Sequence, residues 1–104
     1  MPHFVHPSKE DITLAGVLAA LGDPMRLKIL KTLLEKRHGS LSCSEAAPCA
    51  EIAKSTLSHH FRILRDAGLI RTTKRGVENL NSVRWDELNE RFPGLLASIV
   101  RHQR

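Results

Sequence analysis

Nowhere in its 104 residues does the sequence carry an apolar run approaching the ~20 residues of a membrane-spanning helix. The opening MPHFVHPSKED lacks the long apolar core of a secretory signal. A cytoplasmic location, with no membrane partner, is therefore expected. Cysteine is scarce, with two in the chain, and in a reducing compartment both should be free thiols and not a structural disulfide. No paired carboxylates occupy a plausible pocket and no glycine-rich phosphate loop is present. Ser58 and His59 are adjacent only in sequence, so on a helix they point about 100° apart and make no nucleophile–base pair. An enzyme is not expected. Internal repeats and low-complexity segments are also missing, and a chain this short reads as one domain spanning residues 1–104. Its core is small enough that pairing with a second copy would help it.

What is present is positive charge. Sixteen Lys and Arg face eleven Asp and Glu, for a net charge of +5 and a pI near 9.8. That balance favours a polyanionic partner. The stretch best suited to meet one is KSTLSHHFRILRDAGLI, Lys54 to Ile70. Leu57, Phe61 and Leu64 recur at i, i+4 and i+7, one buried stripe of a helix. Lys54, Ser55, Ser58, His59, Arg62 and Arg65 fall on the opposite arc. All six can donate hydrogen bonds, which suits phosphates and the acceptor-rich edges of the major groove. Asp66 lies towards that side as well. Gly68 stops the helix by accepting the left-handed conformation of a C-terminal cap. Beyond it, Leu69 to Thr73 and Val77 to Trp85 read as extended runs, with Lys74-Arg75-Gly76 turning the chain between them. A donor-faced helix, a glycine stop and a basic-tipped hairpin form a winged helix-turn-helix unit.

With LGDPMRLKIL at Leu21 to Leu30, KSTLSHHFRILRDAGLI and the hairpin, the sequence resembles the ArsR/SmtB-type family of bacterial transcriptional regulators over roughly residues 14–96. The resemblance implies a mostly helical α+β fold, a winged helix-turn-helix in the order α-α-α-α-β-β-α, dimerising through its first and last helices. It implies sequence-specific binding of double-stranded DNA by a homodimer and repression by blocking promoter access, relieved by an effector the residues do not identify. Lys54, Ser55, Thr56, Ser58 and His59 would face base edges and nearby phosphates, Arg62 would hold phosphate, and Lys74 and Arg75 would reach DNA from the wing. One alternative is a winged helix serving as a protein-interaction module, which predicts an apolar recognition face and meets a donor-rich one. Another is a thiol- or redox-responsive regulator using Cys49.

Taken in order, residues 1–7 read as an extended arm. Ser8 caps a helix from Lys9 to about Leu21, with Asp11 completing a capping-box-like start. Ile12, Ala15, Leu18 and Ala19 supply its apolar stripe. Leu14, Val17 and Leu21 lie at other angles, so the helix is apolar around most of its girth and needs a second partner. Gly22 breaks it, Asp23 caps the next helix and Pro24 takes its first position. That helix runs from Met25 to about Lys36, burying Leu27, Leu30, Leu33 and Leu34, and ends at His38-Gly39-Ser40. Arg26, which matches an arginine of the family's DPxRL motif, would touch phosphate or hold a carboxylate. Proline inside a helix costs about 3 kcal/mol, so Pro48 limits the next helix to roughly Ser42 to Ala47. Ala53 precedes the recognition helix where the family often has a capping serine. Asp86 caps a short helix, Glu87 to Arg91, which Phe92-Pro93-Gly94 interrupts, with Pro93 a kink or the first residue of a new helix. Leu95, Leu96, Ile99 and Val100 make the last amphipathic piece.

Family members often sense metals. The positions of the family's Cys-x-Cys pair are Ser42 and Ser44 here, with Cys43 between them. The last helix has only His102 as an imidazole. A closed zinc site needs four ligands, neither set is complete, and no metal or cofactor is expected. Cys43 reads as a small buried hydrophobe and Cys49 as an exposed thiol after Pro48. His3 and His6 either belong to an unstructured arm or join a cysteine in a metal site. His60 is expected to pack, or to bond DNA backbone, and not to bind metal.

Overall fold

Thr13, and not Ser8, starts the first helix in the computed structural model, which describes residues 4–36, 39–49 and 51–103. Thr13 Oγ1 accepts from the Gly16 amide at 3.0 Å and caps α1, Leu14–Leu21. Ser8 donates its hydroxyl to Asp11 Oδ2 at 3.0 Å across a single 3-10 turn, Lys9–Asp11. The expected continuous helix from Lys9 is thus two pieces. β-branched Ile12 and Thr13 are extended between them, and Ile12 is 1% exposed. The shift turns α1 about its axis. Its buried residues are Val17, Ala20 and Leu21, while Leu14 and Leu18 are 46% and 49% exposed. Of the stripe read as Ile12, Ala15, Leu18 and Ala19, Ile12 is buried and the other three face outwards.

α2 spans Pro24–Leu34 and buries Ile29, Leu30 and Leu33, with Leu27 and Leu34 packed at the edge of the core. It stops two residues before Lys36, and His38 lies outside the described residues. Asp23 Oδ1 accepts from the amides of Met25 (2.8 Å) and Arg26 (3.2 Å), the expected cap. Burial opposes ionisation there, but those two bonds hold the Asp23 carboxyl below its ordinary range.

The helix expected at Ser42 to Ala47 does not form. A two-residue strand β1, Leu41–Ser42, is followed by one capped turn. Ser42 and Glu45 make a reciprocal capping box: the Ser42 amide donates to Glu45 Oε1 at 2.8 Å, and the Glu45 amide donates to Ser42 Oγ at 3.3 Å. Ala46 N–H reaches Ser42 O at 3.1 Å and closes the turn. Propagation then fails, because Pro48 disfavours helical backbone at Ala47 and has no amide of its own. A nucleus without propagation is unstable as a helix. After α1, α2 and β1 the chain runs through α3 (Lys54–Asp66), β2 (Ile70–Arg75), β3 (Glu78–Val83), α4 (Trp85–Arg91) and α5 (Leu95–His102). The class remains a mostly helical α+β winged helix-turn-helix.

α3, Lys54–Asp66, packs against α1, α2 and the first strand of the hairpin. Its end is a Schellman motif: Gly68 N–H donates to Arg65 O and Leu69 N–H to Leu64 O, both at 3.0 Å, with Gly68 at φ +85°. β2, Ile70–Arg75, and β3, Glu78–Val83, pair antiparallel from Ile70↔Val83 to Arg75↔Glu78. The connection is therefore Gly76-Val77, one residue later than read. Gly76 takes φ +62° in the first turn position, as a two-residue hairpin requires. β1 adds to the other side of β3, giving the order β1-β3-β2. Trp85 does not close the strand; it opens α4, Trp85–Arg91. α5, Leu95–His102, starts after Gly94 at φ +81°, so Pro93 is neither a kink nor a first helical residue.

Candidate nucleic-acid interface

α3 separates its two chemistries cleanly. Leu57, Phe61 and Leu64 are buried, together with His60. Lys54, Ser55, Thr56, Ser58, His59 and Arg62 are all exposed. Among the described residues Arg62 pairs with Asp66, one turn on, at 3.8 Å on the open surface, a geometry of little energetic weight. Ala53 gives the helix no side-chain cap, so its first amides keep donors for an acidic group. Lys74 and Arg75 are exposed at the end of β2. Gly76 and Val77 form the tip beyond them, with Val77 96% exposed.

Arg65, placed by periodicity on the same arc, behaves differently. It is half-buried and turned back: its NH1 donates to Thr72 Oγ1 at 3.3 Å, and its guanidinium lies 4.4 Å from the centre of the Phe4 ring. Thr72 Oγ1 passes a hydrogen bond to Asn81 Oδ1 (2.8 Å), and Asn81 Nδ2 donates to Leu41 O (3.2 Å), Asn79 O (3.3 Å) and Cys43 Sγ (3.4 Å). Thr72 and Asn81, 3% and 0% exposed, form a polar chain from α3 through all three strands. Sequence reading missed it. Its available signal was a polar residue at each of two alternating inward positions, Thr72 beyond Ile70 and Asn81 before Val83.

At the other flank of α3, Arg26 holds neither a carboxylate nor an outward position. Its Nε donates to Ala20 O at 2.5 Å and its NH1 to His60 Nδ1 at 3.1 Å. His60 takes the packing role of the two expected for it.

The segment before Ser8 lies against the sheet. His6 Nε2 accepts from the Thr72 amide at 2.9 Å, and Pro7 O accepts from Arg84 NH1 at 2.7 Å. The reading of His6 in an unstructured arm is thereby corrected; His3 lies outside the described residues. Burial first, then the positive charges of Arg71, Arg84 and Arg65, lowers the His6 pKa and favours the neutral acceptor. Arg84, 5% exposed, also makes a bidentate pair with Glu87 at 2.8 and 2.9 Å, and Arg71 reaches the same carboxylate at 3.1 Å.

Ser42 and Ser44, at the cysteine-pair positions, stand 3.2 Å apart through their hydroxyls. Cys43 is half-buried, not fully buried, and Cys49 is exposed. Cys43 lines a groove of about 270 Å³ between α3 and the hairpin, beside Lys54, Ser58 and Glu78. Among the described residues, no three His, Cys, Asp or Glu side chains gather as a metal site would require.

A family model described as a helix-turn-helix domain matches residues 21–73. The HTH-type transcriptional regulator YceK of Bacillus subtilis is 37% identical over 90 residues, covering 86% of this chain and 89% of that protein. The arsenical resistance operon repressor of Staphylococcus xylosus is 35% identical over 72 residues, 64% of this chain and 62% of its own. Among solved structures, an ArsR family transcriptional regulator, RHA00566, superposes with a TM-score of 0.66 at 28% identity, covering 82% of this chain and 90% of that one. The transcriptional repressor PagR of Bacillus anthracis gives 0.60 at 25% identity, with the same coverage of 82% and 90%.

Proposed function

This chain belongs to the ArsR-type family of winged helix-turn-helix transcriptional regulators, and on that footing we propose that it represses transcription as a homodimer, reading its operator with the outer face of α3. The observation that supports this reading is the exposure of Lys54, Ser55, Thr56, Ser58, His59 and Arg62 together, above a helix seated by Leu57, Phe61 and Leu64. Lys54 and the hydroxyls reach base edges and adjacent phosphates, Arg62 holds phosphate, and Lys74 and Arg75 reach the neighbouring backbone or minor groove. The uncapped amides of α3 suit a phosphate oxygen at the helix start. Relatives named as repressors carry the sign of regulation. The whole chain acts as one DNA-binding domain, without a catalytic role, and works in the cytoplasm where its operator lies. Among the described residues no helix is long and apolar enough to cross a membrane.

The test uses duplexes selected from a random pool by the parent protein. Lys54→Ala and His59→Ala are expected to lose affinity for the selected duplex by tenfold or more, and more than for random DNA, about 1–3 kcal/mol per base contact. Arg75→Ala is expected to weaken both and to reduce the salt slope by about one unit. Unchanged binding in all three variants would sink the assignment of the reading face.

A further inference from the structure

Among the described residues, a single side-chain hydrogen bond joins α3 to the α1–α2 half of the molecule, that from Arg26 to His60. His60 also feels the Asp23 carboxylate electrostatically, and the shared core of Val17, Leu21, Ile29, Leu33, Leu57, Phe61 and Leu64 supplies apolar packing, which resists separation but is not directional. Arg26 is held at two more points. Its Nε donates to Ala20 O at the end of α1, and its own backbone sits in the Asp23 cap at the start of α2. A guanidinium has no lone pair to offer, so His60 Nδ1 is the acceptor and the ring proton resides on Nε2. His60 is 8% exposed and follows His59 directly on α3. At the other end of α3, Arg65 makes the corresponding bond to Thr72 of the wing.

We propose that Arg26 is a positioning residue for DNA recognition: acting through His60, it sets the rotation and height of α3 against the α1–α2 half, and so places His59, Ser58 and Lys54 on the bases. The proposal deepens the reading-face assignment and rests on it. Arg26 contacts no phosphate in this role. A rotation of α3 about its axis would leave the apolar contacts largely intact yet displace its outer side chains from the base edges, where geometry decides specificity. Random DNA, bound through phosphates alone, tolerates that displacement.

The experiment measures binding of the full chain to the selected duplex and to a random duplex of equal length, over a salt series. The proteins are the parent, Arg26→Met, His60→Leu, their double, His60→Asn and, as a control, Lys54→Ala. Arg26→Met and His60→Leu are each expected to weaken the selected duplex by about tenfold, to leave random DNA and the salt slope unchanged, and to be no worse in combination. His60→Asn, whose side-chain oxygen stands near the position of Nδ1, is expected to recover most of the loss. Arg26→Met weakening both duplexes equally with a slope lower by about one unit would mark a phosphate contact and overturn the proposal. Losses that multiply in the double variant, or parent-like binding by Arg26→Met, would also overturn it. Ring nitrogen-15 shifts of the parent protein test it without any variant: a His60 ring protonated on Nδ1 overturns it. Lys54→Ala, read with His59→Ala and Arg75→Ala, separates the two ideas, since parent-like affinity in all three condemns the reading face whatever Arg26 does.

Discussion

Gly68 meets two demands at once. Its φ of +85° is left-handed, and a Cβ placed there would stand 2.5 Å from Ile12 Cγ1. The first cost is about 1–2 kcal/mol and the second, as overpacking, about 1–3. Gly68→Ala is therefore expected to destabilise by about 3 kcal/mol, a fall of roughly 15 °C in melting temperature. A thermal melt lowered by less than a few degrees would mean that Ile12 yields freely. Helix periodicity made the stop at Gly68 legible; its contact with Ile12, 56 positions earlier, was not. Glu87 is a second residue whose setting is tertiary. Hydrogen bonding from Arg84, with a smaller share from Arg71, outweighs burial and takes its pKa from 4.5 to about 2. A depressed carboxylate contributes stability that is complete above its unfolded value and lost as pH falls through the folded one. The window here runs from about pH 5 down to about pH 2. Glu87→Gln should flatten acid unfolding across that window. At neutral pH it should cost about 2 kcal/mol, less than for a fully enclosed pair because Glu87 is partly exposed. Denaturant titrations at pH 7 and pH 3.5 check both; parallel losses for parent and variant between those values would refute the linkage.

Among the elements, the segment from Phe4 to Pro7 departs most from its reading. Three contacts seat it: Phe4 under Arg65, His6 on the Thr72 amide and Pro7 on Arg84. His6 must be neutral to accept, and burial with three nearby arginines lowers its pKa below 6.5. Because the folded protein disfavours the proton that the unfolded chain takes up, this contribution is complete above pH 6.5 and declines as pH falls through the lowered value. The Thr72 amide is expected to lose hydrogen-exchange protection between pH 7 and pH 5, after correction for intrinsic rates, and to be unprotected at both in His6→Ala. Equal protection factors in parent and variant would disprove the contact. The third element shows the other kind of miss. The Ser42–Glu45 capping box closes one turn, and Pro48 leaves it no room to extend into the helix expected there.

For the whole molecule, the apolar surface of α1 and α5 bears on assembly. Leu14 and Leu18 stand one turn apart on α1 and are roughly half exposed, flanked by exposed Ala15 and Ala19. A second apolar hollow of about 360 Å³ lies between Leu34, Trp85, Ala97, Val100 and Arg101 on the side of α5. Apolar faces of this kind on a chain with a small core are suited to a second copy. We predict a homodimer at micromolar concentration, and Leu18→Glu should shift it to the 11.6 kDa species in sedimentation equilibrium. A parent protein that sediments only at that mass would remove the dimer. In such a dimer two dyad-related α3 helices would meet major grooves about one helical turn apart.

Local rules made much of this protein readable in advance. The Asp23-Pro24 start of α2, the buried stripe of Leu57, Phe61 and Leu64 and the Gly68 stop depend on residues within a turn or two of one another. So does the exposed donor face of α3 from Lys54 to Arg62, whereas Arg65, put on the same arc by helical period, is turned back to Thr72. The rest waited on contacts between residues far apart in the chain. Arg26 and His60 are 34 positions apart, His6 and Thr72 66, and Arg84 and Pro7 77. No sequence window contains such pairs. A long side chain such as Arg26, Arg65 or Arg84 reaches phosphate, carboxylate or carbonyl with equal ease, so its partner is chosen only when packing brings one acceptor within about 3 Å and excludes the water that would otherwise compete.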